Sequence, residues 1–382
     1  MHLILSIVLG VIVRSGAVNS DRQSPVVLAE AGQEDFRYTE YKSKVHPRKE
    51  TKMDNKNLTT ALGPLAPLYF DDNVRDILVD SCTRTLYEKE GRLFEAEVKF
   101  DSPEAIKSLV EALLGLTGKQ LKPEDTVVHI PFPESQGRAV AIFPPTAIQG
   151  PHLVIHKLMN TSWISWENLM EWNSISREAY EFLQKTMRTQ TNVLVVGGMG
   201  SGKTTVVNRI AELISPENRL VVVEDFHELQ IRHPRAVYLE AVTAPNVSIS
   251  DLIRTGSIMR PDWLIIGELI GAEAMTAMEV MSRGHTGMTT LHANSPEDAL
   301  ARLEGMCLMA NLGLGLEEIR VLIAAAVQLI TFQRHMPDGS RKMLEIVELR
   351  GVENGRFVLE RLFRFDPQLK RLASTGVKAS WE

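Results

Sequence analysis

Gly197-Gly198-Met199-Gly200-Ser201-Gly202-Lys203-Thr204 follows the pattern G-x-x-x-x-G-K-[ST], and its flanks decide the fold. The branched apolar run Asn192-Val193-Leu194-Val195-Val196 before it reads as a short buried strand. Thr204 to Ile214 after it reads as a helix, with Val206, Ile210 and Leu213 on one face. Strand, glycine loop and helix in that order make a phosphate cradle. The glycines let backbone N–H groups turn inward, and the helix N-terminus adds its dipole. Lys203 is then expected on β- and γ-phosphate oxygens and the Thr204 hydroxyl on Mg²⁺. Gly197, Gly198, Met199, Gly200, Ser201, Gly202, Lys203, Thr204 and the adjoining Thr205 form the expected binding set for ATP with Mg²⁺.

Outward from the loop, apolar runs recur between helical stretches. Leu220-Val221-Val222-Val223, Trp263-Leu264-Ile265-Ile266 and Met288-Thr289-Thr290-Leu291 are each short enough for a strand buried on both faces. The alternation predicts an α/β fold with a mostly parallel sheet wrapped by helices. Ser295-Pro296-Glu297-Asp298 opens a helix with capping-box spacing. Glu317 to Phe332 reads as a buried helix around Ala324-Ala325-Ala326. Strands near Leu344–Leu349 and Phe357–Leu362, joined through Asn354-Gly355, end the chain as a meander.

Upstream, Ile77-Leu78-Val79, Thr85-Leu86-Tyr87, Ala139–Phe143 and Leu153-Val154-Ile155 read as strands and Pro103–Leu114 as a helix. They make a small N-terminal α/β domain. The division expected is residues 1–58 as an apolar N-terminus and linker, 59–158 as this domain, and 159–382 as the phosphate-loop domain. Leu3 to Val13 is an apolar run of eleven residues, followed by Ser15-Gly16-Ala17. Three readings fit it: a weak tether, a cleaved signal, or residues upstream of a start at Met53. The third accords best with the aperiodic, charge-mixed stretch from 19 to 58.

The 382 residues carry 44% hydrophobic and 24% charged side chains and a net charge of −6, a globular composition that disfavours bulk charge attraction to DNA. No sequence-specific nucleic-acid partner is expected. The two cysteines exclude a disulfide framework, and Cys307 falls on an apolar helical stripe.

Hydrolysis needs a carboxylate near Mg²⁺, a group that orients water, and positive charge on the γ-phosphate. Glu268 follows its strand through Gly267 and would sit at the carboxyl edge of the sheet beside the metal. Glu224 and Asp225 end the neighbouring strand, and Glu228 follows a turn later. His285 and His292 bracket the strand Met288–Leu291, where each is either a satisfied buried histidine or a phosphate sensor. The spacing does not suit zinc.

Glu224-Asp225-x-x-Glu228-Leu229, Arg260-Pro261-Asp262 running to Gly267-Glu268, and Gly284-His285-x-Gly287 running to Leu291-His292-Ala293-Asn294-Ser295 resemble three boxes of the type II/type IV secretion ATPases. The Tad-pilus/CpaF-like and conjugation (TrbB-like) branch is most similar. Ala61 to Leu68, Gly137-Arg138 through Pro144-Pro145 to Lys157, and Arg334 with Asp338-Gly339-Ser340-Arg341 extend the resemblance over about 62 to 366.

The resemblance implies a RecA-like ATPase domain and a cytoplasmic homohexamer peripheral to the inner membrane. That ring would drive pilus assembly or secretion through an inner-membrane platform protein. By matching position, Glu224 would polarise water, Glu268 hold Mg²⁺ through water, His285 and His292 sense phosphate, and Arg138 supply an arginine from the N-terminal domain. Three positions depart from the family's arginines: Ile258, Ile270 and His156. Neither isoleucine nor a mostly neutral histidine replaces a bidentate guanidinium.

Overall fold

The computed structural model describes residues 55–89, 92–132, 137–158, 160–241 and 247–381. The run Leu3–Val13, the Ser15-Gly16-Ala17 pattern and Met53 lie outside the described residues. Six strands form the first sheet: β1 (Val74–Ser81), β2 (Arg84–Lys89), β3 (Arg92–Ala96), β4 (Val127–Pro131), β5 (Gly137–Ile142) and β6 (His152–Lys157). They pair antiparallel throughout, in the order β3-β2-β1-β6-β5-β4. Alternate residues face opposite sides, so Ile77, Val79, Ala139, Ala141, Leu153 and Ile155 enter one core with Ile106, Val110 and Leu113 of the helix Pro103–Gly115. The opposite face carries a cross-strand row of Asp76, His156 and Arg138.

The second sheet is built differently because its central strands are buried on both faces. It comprises β7 (Val193–Gly197), β8 (Leu220–Glu224), β9 (Ala236–Glu240), β10 (Trp263–Leu269), β11 (Gly287–Leu291), β12 (Leu329–His335), β13 (Arg341–Glu353), β14 (Arg356–Asp366) and β15 (Arg371–Ser374). Their order is β15-β14-β13-β12-β7-β11-β10-β8-β9, parallel from β12 to β9 and antiparallel beyond β12. Leu194, Val196, Val221, Val223, Leu264 and Ile266 pack on the helices Glu273–Ser282, Pro296–Met309 and Leu316–Ala326. Val193, Val195, Leu220, Val222, Trp263 and Ile265 pack on the helices Arg177–Thr186 and Lys203–Ala211. Two helical layers are what such strands require. Every parallel strand therefore points its carboxyl end to one edge, and β7, β8, β10 and β11 bring their site residues there.

Three expectations change. The helix expected from Glu317 to Phe332 is Leu316–Ala326, and Val327 turns extended (φ −119°, ψ 125°) into β12. The β-branched run Ile330-Thr331 suits a strand beside β7, and apolar periodicity alone cannot separate the two readings. The stretch 55–58, expected as linker, belongs to the helix Asn55–Leu62, and Leu58 is buried in the first core. The edge strand β9 escaped the reading because it is half-buried at every position and shows no alternation. The Asn354-Gly355 hairpin is present, with both residues at positive φ. Cys307 is buried in the core and its thiol is pushed up to about 12 by that burial. Among the described residues no helix is long and apolar enough to cross a membrane.

Leu58→Ala should destabilise the protein by about 2–4 kcal/mol, the usual range for truncating a buried leucine. Urea unfolding would show a lower midpoint. An unchanged midpoint would mean that the first helix does not belong to the core.

Candidate functional site

β7 ends at Gly197, where a Cβ would lie 2.4 Å from Ser201 Oγ and 2.6 Å from the Gln333 carbonyl oxygen. The tight loop cannot close around any larger residue. Gly202, at φ +96°, then turns the chain into the helix Lys203–Ala211. Lys203 is 9% exposed, and its ammonium donates to the carbonyls of Gly197 (3.1 Å) and Gly198 (3.2 Å). Thr204 and Thr205 follow half-buried on the first turn, and the buried Ser201 Oγ has no hydrogen-bond partner among the described residues. Met199 is the exposed tip of the loop.

A β-bulge aims the carboxylate of β10. Ile266 pairs with Thr289 and Glu268 with Thr290, which leaves Gly267 as the extra residue. Thr290 Oγ1 donates to the Gly267 carbonyl at 2.7 Å, and a Cβ on Gly267 would lie 3.1 Å from Glu224 Cγ. Glu268 Oε1 thereby lies 2.9 Å from His292 Nε2. The His292 ring nitrogens lie 3.2 and 3.3 Å from Lys203 Nζ. Lys203, Glu268 and His292 come from three different elements and meet in one cluster.

The electrostatics follow from burial. Lys203 is held below the ordinary lysine range by burial; Glu268 and Glu228 oppose this, and Arg75 adds to it. Glu268 is pushed up by burial and by Glu228, against Lys203 and Arg138. His292 is lowered by burial, Lys203 and Arg302, so its ring is neutral at pH 7 and can accept from the ammonium.

Glu224 is buried and engaged on both oxygens. Oε1 accepts from the backbone N–H of Glu228 (3.0 Å) and Leu229 (2.9 Å), while Oε2 lies 2.9 Å from His227 Nδ1. Arg138 leaves β5 with its guanidinium 5.2 Å from the Phe226 ring centroid. It lines a cleft of about 490 Å³ with His129, Val140, Asp225 and Phe226. Its charge reaches Glu268 within the same chain. His285 is not brought to the cluster. It precedes β11, whose first residue Gly287 donates to Asn192 Oδ1 at the start of β7. Strand rise separates it from His292 by roughly 20 Å, so within one chain His285 cannot sense the same phosphate. The two ends of a single strand must lie on opposite edges of the sheet.

At the three departures, His156 Nδ1 pairs with Asp76, whereas Ile258 and Ile270 are 83% and 67% exposed. Sequence reasoning passed over Arg75 as a site group; Glu228 entered only beside Glu224 without a role of its own, and Arg341 only as part of a motif. The charges of Arg75 and Glu228 act on Lys203. The one sequence signal for Glu228 is its position a turn after Glu224; none pointed to Arg75.

Among the described residues no three His, Cys, Asp or Glu side chains are grouped to hold a metal alone. A cation here would need phosphate oxygens as further ligands. That fits Mg²⁺, which typically takes one or two protein groups plus substrate phosphates; Thr204, and Glu268 through water, are the residues that would hold it.

Because its folded-state pKa is raised, Glu268 costs the fold nothing below the ordinary glutamate value and costs stability once pH rises through the raised value. Glu268→Gln should therefore melt higher than wild type at pH 7–8, with the difference shrinking towards pH 4. Thermal melts across that range check it; a difference independent of pH would contradict it.

The sequence matches the family described as type II/IV secretion system protein over residues 67–354. A putative conjugal transfer protein of Mycobacterium tuberculosis is 30% identical over 305 residues, 77% of this chain and 86% of the relative. Conjugal transfer protein TrbB of Rhizobium radiobacter is 27% identical over 320 residues, 82% of this chain and 94% of the relative. The crystal structure of the pilus retraction motor PilT with bound ADP is similar at a TM-score of 0.53 and 17% identity, covering 82% of each chain. At that identity the likeness concerns the fold alone. The glycine loop, the bulged carboxylate strand and the histidine strand all fall inside the matched span, and the chain belongs to the type II/IV secretion system protein family.

Proposed function

We propose that this chain hydrolyses ATP with Mg²⁺ as a homohexameric, cytoplasmic motor that powers pilus assembly or protein secretion through an inner-membrane platform protein. The observation that carries the reading is the meeting of Lys203, His292 and Glu268 beside the glycine loop. In it Lys203 exchanges its carbonyl partners for phosphate oxygens, and Thr204, with Glu268 through water, would hold the metal, which would supply charge neutralisation. His292 senses phosphate through its contact with Lys203.

Glu224 is the group that orients the attacking water. Two backbone N–H groups fix Oε1, and Oε2 becomes available when His227 turns away. Arg138 adds positive charge from the 59–158 domain, and turnover moves that domain against 159–382, with neighbouring subunits completing the sites. The names of the conjugal-transfer relatives favour a conjugative machine as a second reading. The exposed Ile258 and Ile270 favour a slow-turnover scaffold as a third.

Glu224→Gln should bind ATP as wild type does and lose turnover by about 10²–10⁴-fold, the span of general-base catalysis. Weakened binding with an unchanged saturated rate would make it a binding residue instead. Arg138→Ala should slow hydrolysis with little loss of affinity, and wild-type specific activity should rise with protein concentration if subunits share sites. Full activity of the variant, together with concentration-independent rates, would remove Arg138 and the shared-site arrangement.

A further inference from the structure

The box Glu224-Asp225-x-x-Glu228-Leu229 leaves two positions open, and this chain fills them with Phe226 and His227. Both lie in the turn that follows β8. Each covers a group to which the ATPase reading gives a part in hydrolysis. The buried ring of Phe226 faces Arg138, whose Cζ stands 5.2 Å from its centroid. A ring face attracts a guanidinium most where water is excluded. His227 covers Glu224. A carboxylate oxygen only accepts, so the 2.9 Å contact is a hydrogen bond from His227 Nδ1–H to Oε2.

The other sides of Glu224 are closed. Oε1 already accepts from the backbone N–H groups of Glu228 and Leu229, and the Gly267 backbone lies so close that a Cβ there would stand 3.1 Å from Glu224 Cγ. With the side chain only 4% exposed, a water reaches Oε2 only when the His227 ring moves. That ring is the movable part. It is 21% exposed and packs edge-on against Tyr238 of the edge strand β9, with centroids 4.7 Å apart. The His227 backbone N–H is held by Glu240 Oε1 at 3.1 Å, so the ring can swing about its own side-chain bonds while the turn stays anchored.

We infer that Phe226 and His227 are positioning residues that hold Arg138 and Glu224 in a resting arrangement, from which both must be released before water attacks. The inference rests on the ATPase reading of Glu224 and Arg138 and adds to it the means by which the site is kept idle. Consecutive residues of one turn hold the arginine of the first sheet and the carboxylate of the second. A movement of the first sheet that draws Arg138 off Phe226 therefore acts on the same turn that carries His227. Turnover scales with the fraction of chains in the released arrangement.

Steady-state ATP hydrolysis by the full chain tests this, with wild type, His227→Ala, His227→Gln, Phe226→Leu, Glu224→Gln and the double variant His227→Ala/Glu224→Gln compared. His227→Ala uncovers Oε2, and Phe226→Leu keeps an apolar side chain of similar size while losing the ring face. Each should raise kcat by about three- to tenfold, the effect of removing one hydrogen bond or one cation–π contact from the resting arrangement. KM for ATP should not move, because neither residue is placed on the nucleotide. His227→Gln, whose amide can still donate to Oε2, should return kcat to the wild-type level. The double variant should be as slow as Glu224→Gln, since the gain runs through that carboxylate. Absence of a gain in either His227→Ala or Phe226→Leu, with Glu224→Gln inactive, overturns the resting arrangement and leaves the water-orienting assignment standing. A gain that persists in the double variant overturns it as well. Full turnover by Glu224→Gln would instead refute the assignment of Glu224, and the resting arrangement with it.

Discussion

A lysine ammonium held at 9% exposure is the constraint on which the site depends. Removing that charge from water is costly unless several acceptors surround it. Its neighbours show how the fold answers that cost: two loop carbonyls, a neutral imidazole and the field of two glutamates. The carbonyls come from the end of β7, the imidazole from the end of β11, and the two glutamates from β10 and from the turn after β8. The loop can present Lys203 only because β7, β10 and β11 run parallel and finish at one edge, and the crossovers that parallel pairing requires cover both faces of these strands with helices.

Glycines act here as geometry rather than as slack. Gly197 permits the closure of the loop on itself, and Gly267 makes the bulge that sends Glu268 towards His292 while leaving room for the Glu224 side chain. The same device recurs in the first sheet at Arg75, whose charge acts on Lys203. Arg138 contributes from the same sheet but along another route, over Phe226.

Legibility followed locality. Strand, loop and helix around Lys203 occupy one continuous stretch, and Glu224 and Glu268 announce themselves as acids closing apolar strands. The contact of Arg138 with Phe226 joins residues far apart in sequence, and no periodicity encodes it. His285 and His292 read as one box, yet the strand between them carries them to opposite edges. The end of the helix at Ala326 was obscured because Val327 to Phe332 is apolar enough for either structure. At the family's arginine positions the sequence showed the loss of charge, but not that His156 would find Asp76 while Ile258 and Ile270 stay in solvent.

The central claim is that a buried lysine at the carboxyl edge of a parallel sheet exists to meet phosphate. Steady-state phosphate release from ATP by the purified full chain and by Lys203→Ala, with and without Mg²⁺, tests it most directly. The account predicts Mg²⁺-dependent release by the wild type and none above background by the variant, with both proteins folded. Release by Lys203→Ala at the wild-type rate would contradict it.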